Sequence, residues 1–224
     1  MNTRIDIAVA NNIIWCAMVC DIHGIVHTST AHLWGVQSRA PEFYPDIITS
    51  ERDATSEEVM AFIGSRSVAS IKDSYANLDL FSYGFRILFE AEWIYHDPEI
   101  NSEFFSSSWH VITSEQDLSR WTAANGLEGV IRQALLQQEN VKIFMHETHD
   151  GISGFIASLG ANAVGISNVF TTAEVSEGIW LDIVNSVAAS FPGLPMVGYE
   201  LNASAALLSG WSSAGPLRVW LKEE

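Results

Sequence analysis

Apolar and polar positions change period twice in the last third of the chain. Residues 164–170 alternate between two faces, which is the period of a β-strand. After Gly178 the apolar positions recur every three or four residues as far as Phe191, which is the period of an amphipathic helix. Residues 196–199 form a short apolar run typical of a buried strand. The pattern predicts a strand, a crossover helix and a second, parallel strand, joined with a right-handed connection.

The same analysis predicts elements along the rest of the chain. Residues 4–21 have the spacing of a helix with one buried face, and residues 56–64 that of a short helix with Ser56 as N-cap and Gly64 as the stop. For residues 23–50 we predict a long irregular connector. The clearest strand of the first half is 85–93, where apolar and charged side chains alternate. From residue 109 onward the predicted elements are strand 109–113, helices 114–124 and 130–138, strands 141–147, 152–159 and 164–170, helix 178–191, strand 196–199, helix 201–209 and strand 216–222.

This element order predicts an α/β protein with a mixed, α+β type sheet in two halves. A polar stretch around residues 101–108 places the boundary near residue 105. The predicted domains are therefore an α/β half at 1–105 and a second unit at 106–224. The second unit has the order β-α-α-β-β-β-α-β-α-β, in which three antiparallel strands lead into one parallel crossover.

Composition and charge narrow the classes of function. The chain has 224 residues, of which 48% are hydrophobic and 17% are charged, so it can bury a large core. A net charge of −16 disfavours nucleic acid as a partner, because phosphate binding needs a basic surface, and it permits an acidic groove for a cationic amine. Asp6, Asn11 and Asn12 interrupt any signal-peptide core, and the apolar runs are too short to cross a bilayer. We therefore expect a cytoplasmic protein with no membrane partner.

Two cysteines and two histidines have a spacing that resembles a metal site. They are Cys16, Cys20, His23 and His27. A single helix cannot easily place four ligands tetrahedrally around zinc, and Gly24 is expected to end the helix before His27. Two buried small hydrophobic side chains are the simpler interpretation of the cysteines. We therefore expect no metal, and a site at these four residues is the alternative.

Short motifs at the end of the chain carry a family resemblance. Met196-Val-Gly-Tyr-Glu is followed by a short helix, by Gly210-Trp211 and by Gly215-Pro-Leu-Arg-Val-Trp. Together with the element order of residues 106–224, these motifs resemble the GNAT-type N-acetyltransferases. The front half resembles the N-terminal part of bacterial proteins with a GNAT-like C-terminal half, and a degenerate second copy of the fold is the alternative for it. The stretches that match there are Trp15-Cys-Ala-Met-Val-Cys, Pro41-Glu-Phe-Tyr-Pro-Asp, and Ile71-Lys-Asp-Ser-Tyr-Ala through Gly84-Phe-Arg-Ile-Leu-Phe.

The resemblance implies an acetyl-coenzyme A site between two strands. In the family, the strand that corresponds to 164–170 splays from the one that corresponds to 196–199. Pantetheine runs along the exposed backbone of the first strand, which places it at Asn168, Val169 and Phe170. The pyrophosphate binds backbone amides where the loop meets the next helix, here at Gly178. An amine then attacks the thioester with the help of a general base and an acid.

The sequence departs from the family pattern at two chemical positions. The pyrophosphate loop, usually [RQ]-x-x-G-x-[GA], is here Thr171-Thr-Ala-Glu-Val-Ser-Glu-Gly-Ile-Trp, which has one glycine and no arginine. Glu174, Glu177 and Asp182 put carboxylates near the expected phosphate, where like charges are unfavourable. The tyrosine that many members carry four residues before a Gly-Phe pair corresponds to Ala206, which cannot donate a proton. Tyr199 is the nearest phenol and the substitute candidate for the acid.

Two functions follow from these observations. The first is a GNAT-like acyltransferase that moves an acetyl or acyl group from acyl-coenzyme A to an unknown small-molecule or peptide amine. The alternative is a catalytically inactive GNAT-fold protein that serves as a binding module or scaffold and has lost the pyrophosphate loop. The sequence leaves open whether the protein forms a homodimer.

Overall fold

A single mixed β-sheet runs through residues 3–99, 109–173 and 178–223, which are the residues that the computed structural model describes. The helices are α1 (Arg4–Ile22), α2 (Ser56–Ile63), α3 (Glu115–Asn125), α4 (Ile179–Ser190) and α5 (Ser204–Leu208). The strands are β1 (His27–Ser29), β2 (Leu33–Val36), β3 (Ile47–Thr49), β4 (Ser70–Asp73), β5 (Phe85–His96), β6 (His110–Val111), β7 (Val141–Thr148), β8 (Gly151–Gly160), β9 (Ala163–Thr171), β10 (Met196–Glu200) and β11 (Ser212–Lys222). The predicted α/β class with a mixed sheet is confirmed.

Strands from the two predicted halves interleave at the centre of the sheet. The order across the described sheet is β1-β2-β3-β4-β11-β5-β10-β9-β8-β7-β6. β5 lies between β10 and β11, and β11 in turn lies between β5 and β4. The boundary near residue 105 falls outside the described residues, and the division into domains at 1–105 and 106–224 stays a prediction. The sheet itself is continuous across both halves.

The predicted strand–helix–strand unit is present at the centre of the second half. β9 and β10 pair in parallel, and α4 connects them. The apolar stripe of α4 packs against Val164, Ile166 and Met196 on one face of the sheet. The change of period in the sequence therefore predicted these three buried elements correctly.

α1 covers the opposite face of the sheet. A capping box starts this helix, since the Thr3 hydroxyl accepts from the Asp6 N–H and the Asp6 carboxylate accepts from the Thr3 N–H. The buried side chain of Asn11 fixes the helix over the sheet, because its Nδ2 lies 3.2, 3.0 and 3.0 Å from three strand carbonyl oxygens, those of Ser158, Gly160 and Ala163. By length and composition alone α1 could cross a membrane, but a core helix meets the same test, and its apolar face is buried against the sheet.

Two predictions for the first half are wrong. Residues 23–50 are not an irregular connector, since they contain β1, β2 and β3, and β4 was missed as well. These strands have only three or four residues each, and β2 and β3 are buried at every position, so no alternation marks them. The N-cap of α2 is Thr55 rather than Ser56, and its hydroxyl accepts from the Glu58 N–H in a capping box.

Three predicted elements in the second half are shorter than expected. The helix at 130–138 is only a 3₁₀ turn at Gln133–Gln137, and the helix at 201–209 shrinks to α5. The strand at 109–113 is reduced to the two residues of β6. In the first of these segments Val130, Ile131 and Leu135 are buried, so the apolar spacing reflects packing of a turn rather than a regular helix.

Candidate functional site

The hydrogen-bonded seam between β9 and β10 opens partway along the two strands. Pairing between them is confined to Met196↔Val164 and Val197↔Gly165. The next rung of a parallel ladder would join the Tyr199 N–H to the carbonyl oxygen of Ile166, and the pairing ends before it. β9 nevertheless stays paired with β8 as far as Thr171, with one shift of register, and β10 stays in register with β5 as far as Glu200. Each strand is thus held by its outer neighbour while the backbone groups facing the seam lose their strand partners.

A β-bulge bends β9 inside this open seam. Two steps along β8, from Gly154 to Ile156, face three steps along β9, from Phe170 to Ser167. Asn168 takes up the extra residue with a φ of +53°, in the left-handed region that asparagine tolerates better than most side chains. The bulge increases the local twist and interrupts the regular alternation of side chains at Asn168 and Val169.

A cavity of about 270 Å³ lies at the open seam. Its walls come from α1, from the segment before β3, from β4 and from the diverging ends of β9 and β10. The lining residues are Asn12, Trp15, Cys16, Phe43, Tyr44, Pro45, Lys72, Ile166, Ser167, Asn168, Val169, Tyr199, Glu200 and Leu201. Residues far apart in sequence therefore meet where the strands separate.

The structure brings three of the five sequence-predicted site residues into this cavity. Asn168, Val169 and Tyr199 line it. The Phe170 side chain instead packs edge-on against Trp121 beneath α3, at a centroid distance of 5.2 Å. Gly178 is the N-cap residue of α4, and its carbonyl oxygen accepts from the Asp182 N–H. The roles assigned to all five residues stay predictions.

Of the positions that depart from the family pattern, Asp182 and Ala206 lie among the described residues. Asp182 is exposed on the first turn of α4. Glu174 and Glu177 lie outside the described residues. Ala206 is fully buried in α5, in the cluster that contains Trp211. Its packing in this cluster explains the small side chain of Ala206, and no chemical role is needed to explain it.

Glu200 is a residue that sequence reasoning missed. It lines the cavity at the end of β10, and burial raises the pKa of its carboxyl group to about 7. A carboxyl group that titrates near neutral pH can accept a proton from a substrate under physiological conditions. The sequence showed only a glutamate after a short strand, because burial at a seam between remote strands leaves no local pattern.

Lys72 is the second residue that sequence reasoning missed. Only 3% of it is exposed, and its Nζ donates to Asn12 Oδ1 at 3.0 Å. The same Nζ lies 4.3 Å from the ring centroid of Tyr199 and 5.9 Å from that of Trp93. None of the ion pairs in the described part of the chain includes Lys72.

The four residues of the metal alternative have other partners. Cys16 and Cys20 are buried, and burial raises the pKa of their thiols to about 11 and about 12. His23 Nε2 lies 2.8 Å from the carbonyl oxygen of Val130, and His27 contacts Asp21 and Trp34 through its two ring nitrogens. Among the described residues, no three His, Cys, Asp or Glu side chains are grouped to hold a metal ion.

We expect the Glu200→Gln protein to be more stable than wild type at alkaline pH. The folded pKa of about 7 exceeds the usual 4.5, so the stability that protonated Glu200 contributes is complete below pH 4.5 and is lost as the pH rises through 7. Above pH 7 the substitution should raise the free energy of unfolding by about 2 kcal/mol, allowing for partial exposure of the side chain.

Denaturant titrations at pH 5 and pH 8 measure this difference. Glu139→Gln is the matched control, since Glu139 is exposed on the surface. A Glu200→Gln protein whose stability relative to wild type does not change between the two pH values contradicts the burial of this carboxyl group.

Comparison with known proteins defines the fold. No protein-family model and no curated protein sequence matches the chain. A conserved protein of unknown function from Staphylococcus epidermidis has a similar structure, with a TM-score of 0.60 and 13% identity over 88% of this chain and 93% of that protein. A protein from Novosphingobium aromaticivorans, described as belonging to the GNAT family of acetyltransferases, has a TM-score of 0.55 and 11% identity over 96% and 99% of the two chains. At these identities the likeness concerns the fold, and the chain has a GNAT-like fold.

Proposed function

We propose that this protein is an acyl-coenzyme A-dependent N-acyltransferase whose cofactor lies in the open seam between β9 and β10. The observation that carries the proposal is the early end of the β9–β10 ladder, together with the cavity at that point. A sheet normally satisfies its backbone groups along its whole length, so a seam held open from outside is suited to a ligand that can replace the missing strand contacts.

The residues present at the seam fit the cofactor's pantetheine arm. The carbonyl oxygen of Ile166 and the N–H of Tyr199 face the opening, and an amide-containing chain can bond to both. The buried hydroxyl of Tyr44, also in the cavity wall, has no hydrogen-bond partner of normal geometry in the described part of the chain. The N-terminus of α4 at Gly178 is the site proposed for the pyrophosphate, because helix N-termini attract anions.

Two side chains of the cavity are suited to proton transfer. When bound, acetyl-coenzyme A would supply an acyl thioester, which an amine attacks and from which a thiol leaves. Glu200 would accept a proton from the acceptor's nitrogen, since burial holds the pKa of its carboxyl group near 7. Tyr199, whose ring is held edge-on to Trp93 at 5.4 Å, is the candidate proton donor.

A catalytically inactive binding module is the second candidate. It is favoured by Ala206, which is buried where many family members carry a tyrosine, and by the loop after β9, which has no arginine. A protein of this kind would keep the open seam and use it for a different ligand, or would cover it with a partner. Cofactor binding and turnover separate the two candidates.

We expect acetyl-coenzyme A to raise the melting temperature of the protein. At a ligand concentration about 100 times the dissociation constant, the shift should be roughly 5–10 °C for a domain of this size. Gly198→Val should reduce the shift, because a Cβ at this position already lies 3.0 Å from the carbonyl oxygen of Ile166 at the mouth of the seam. ADP serves as the control for anion binding without pantetheine. An unchanged melting temperature at millimolar acetyl-coenzyme A contradicts the enzyme proposal.

We expect Glu200→Gln and Tyr199→Phe to slow acyl transfer. Loss of a general base or acid lowers kcat by about 10²- to 10⁴-fold. The wild-type rate should rise with pH through about 7, as Glu200 loses its proton, and the Glu200→Gln protein should lack this rise. The measurement is release of free thiol from acetyl-coenzyme A with a mixed pool of amines, with Glu139→Gln as control. Full activity in both site variants would remove Glu200 and Tyr199 from the mechanism.

A further inference from the structure

Lys72 places a positive charge in the cavity wall without a negative partner. Its ammonium group is buried and contacts only neutral groups in the described structure, namely the amide oxygen of Asn12 and the rings of Tyr199 and Trp93. Burying a charge is costly unless it is paired, and one amide oxygen with two aromatic faces offsets only part of that cost. An anionic group that enters the cavity would therefore supply the negative partner that the Lys72 ammonium group lacks.

Glu200 does not supply that anionic group. Both residues line the same cavity, yet the pKa of Glu200 is raised by burial alone, with no cation lowering it. The two side chains form no ion pair. The cavity thus presents a cation and a proton acceptor at separate positions.

We propose that the acceptor is a small amine that also carries a carboxylate, with its carboxylate bound to Lys72 and its amine directed to Glu200. This inference rests on the proposed function and names the substrate class of the same site. An amino-acid-like acceptor matches the two groups of the wall, since its own charges have the opposite signs.

The size and the other walls of the cavity agree with this class. The volume of about 270 Å³ must also take the thioester end of the cofactor, so the room that is left suits a small acceptor. Trp15, Phe43 and Tyr44 supply an aromatic wall beside the charged groups, which suits an apolar side chain. The protein's net charge of −16 would repel a free carboxylate, and Lys72 reverses the field locally.

Matched pairs of acceptors test the proposal. L-phenylalanine is compared with 2-phenylethylamine, L-leucine with isoamylamine and β-alanine with ethylamine, each with acetyl-coenzyme A and detection of free thiol. In at least one pair, kcat/KM should be about 30-fold or more higher for the member that has the carboxylate. Lys72→Met should reduce this ratio to about 1, because the variant keeps the side-chain stem and loses the charge.

Lys142→Met is the matched control and should keep the wild-type ratio. Lys142 lies on β7 outside the cavity, with its Nζ 5.0 Å from the ring centroid of Phe191. If Lys72→Met does not fold, the wild-type ratio decides the proposal on its own.

The melting-temperature shift with acetyl-coenzyme A is recorded on the same preparation. It distinguishes a failure of the proposed acceptor class from a failure of the proposed function. A shift together with equal or better use of the plain amines, or with no acylation of any amino acid, overturns the acceptor class and leaves the cofactor site standing. Without a shift, the proposed function fails and the acceptor class fails with it.

Discussion

The backbone hydrogen bonds that β9 and β10 do not make are the constraint on which the site depends. The ladder between them ends at Val197 and Gly165, while β8 and β5 continue to hold the two strands from outside. A seam in the middle of a sheet cannot open unless its flanks are fixed, because free strands would close and satisfy their backbone groups. Here the pairing of β9 with β8 and of β10 with β5 fixes the flanks, and the bulge at Asn168 bends β9 inside the open seam.

This arrangement explains why the cavity collects residues from the whole chain. α1 is fastened over the seam by Asn11, which bonds to the carbonyl groups at the ends of β8 and β9. β4 reaches the site because it pairs with β11, and its residue Lys72 lines the cavity. The interleaving of β5 and β11 thus makes the first half of the chain part of the site rather than an appendage. A buried cation and a half-buried carboxyl group then line one small cavity at separate positions.

Local periodicity predicted most elements of the second half, although three of them are shorter than expected, and it failed where pairing is remote. The change of period between residues 164 and 199 identified β9, α4 and β10, and the alternation at 85–93 identified β5. β1 to β4 are too short to show a period. The place of β5 between β10 and β11 leaves no trace in neighbouring residues, so Lys72 and Glu200 could not be assigned to one site from sequence. Asn168, Val169 and Tyr199, which line the cavity, were predicted through the resemblance, because it supplied the splay that periodicity cannot show.

Amide hydrogen exchange at Tyr199 is the most direct measurement of the open seam. Its N–H would form the first missing rung, whereas the N–H of Val197 belongs to the paired part of the ladder. The account predicts that Tyr199 exchanges much faster than Val197 in the free protein and becomes protected when acetyl-coenzyme A is added. Equal protection of the two amides in the free protein would mean that the ladder is closed, and would contradict the account.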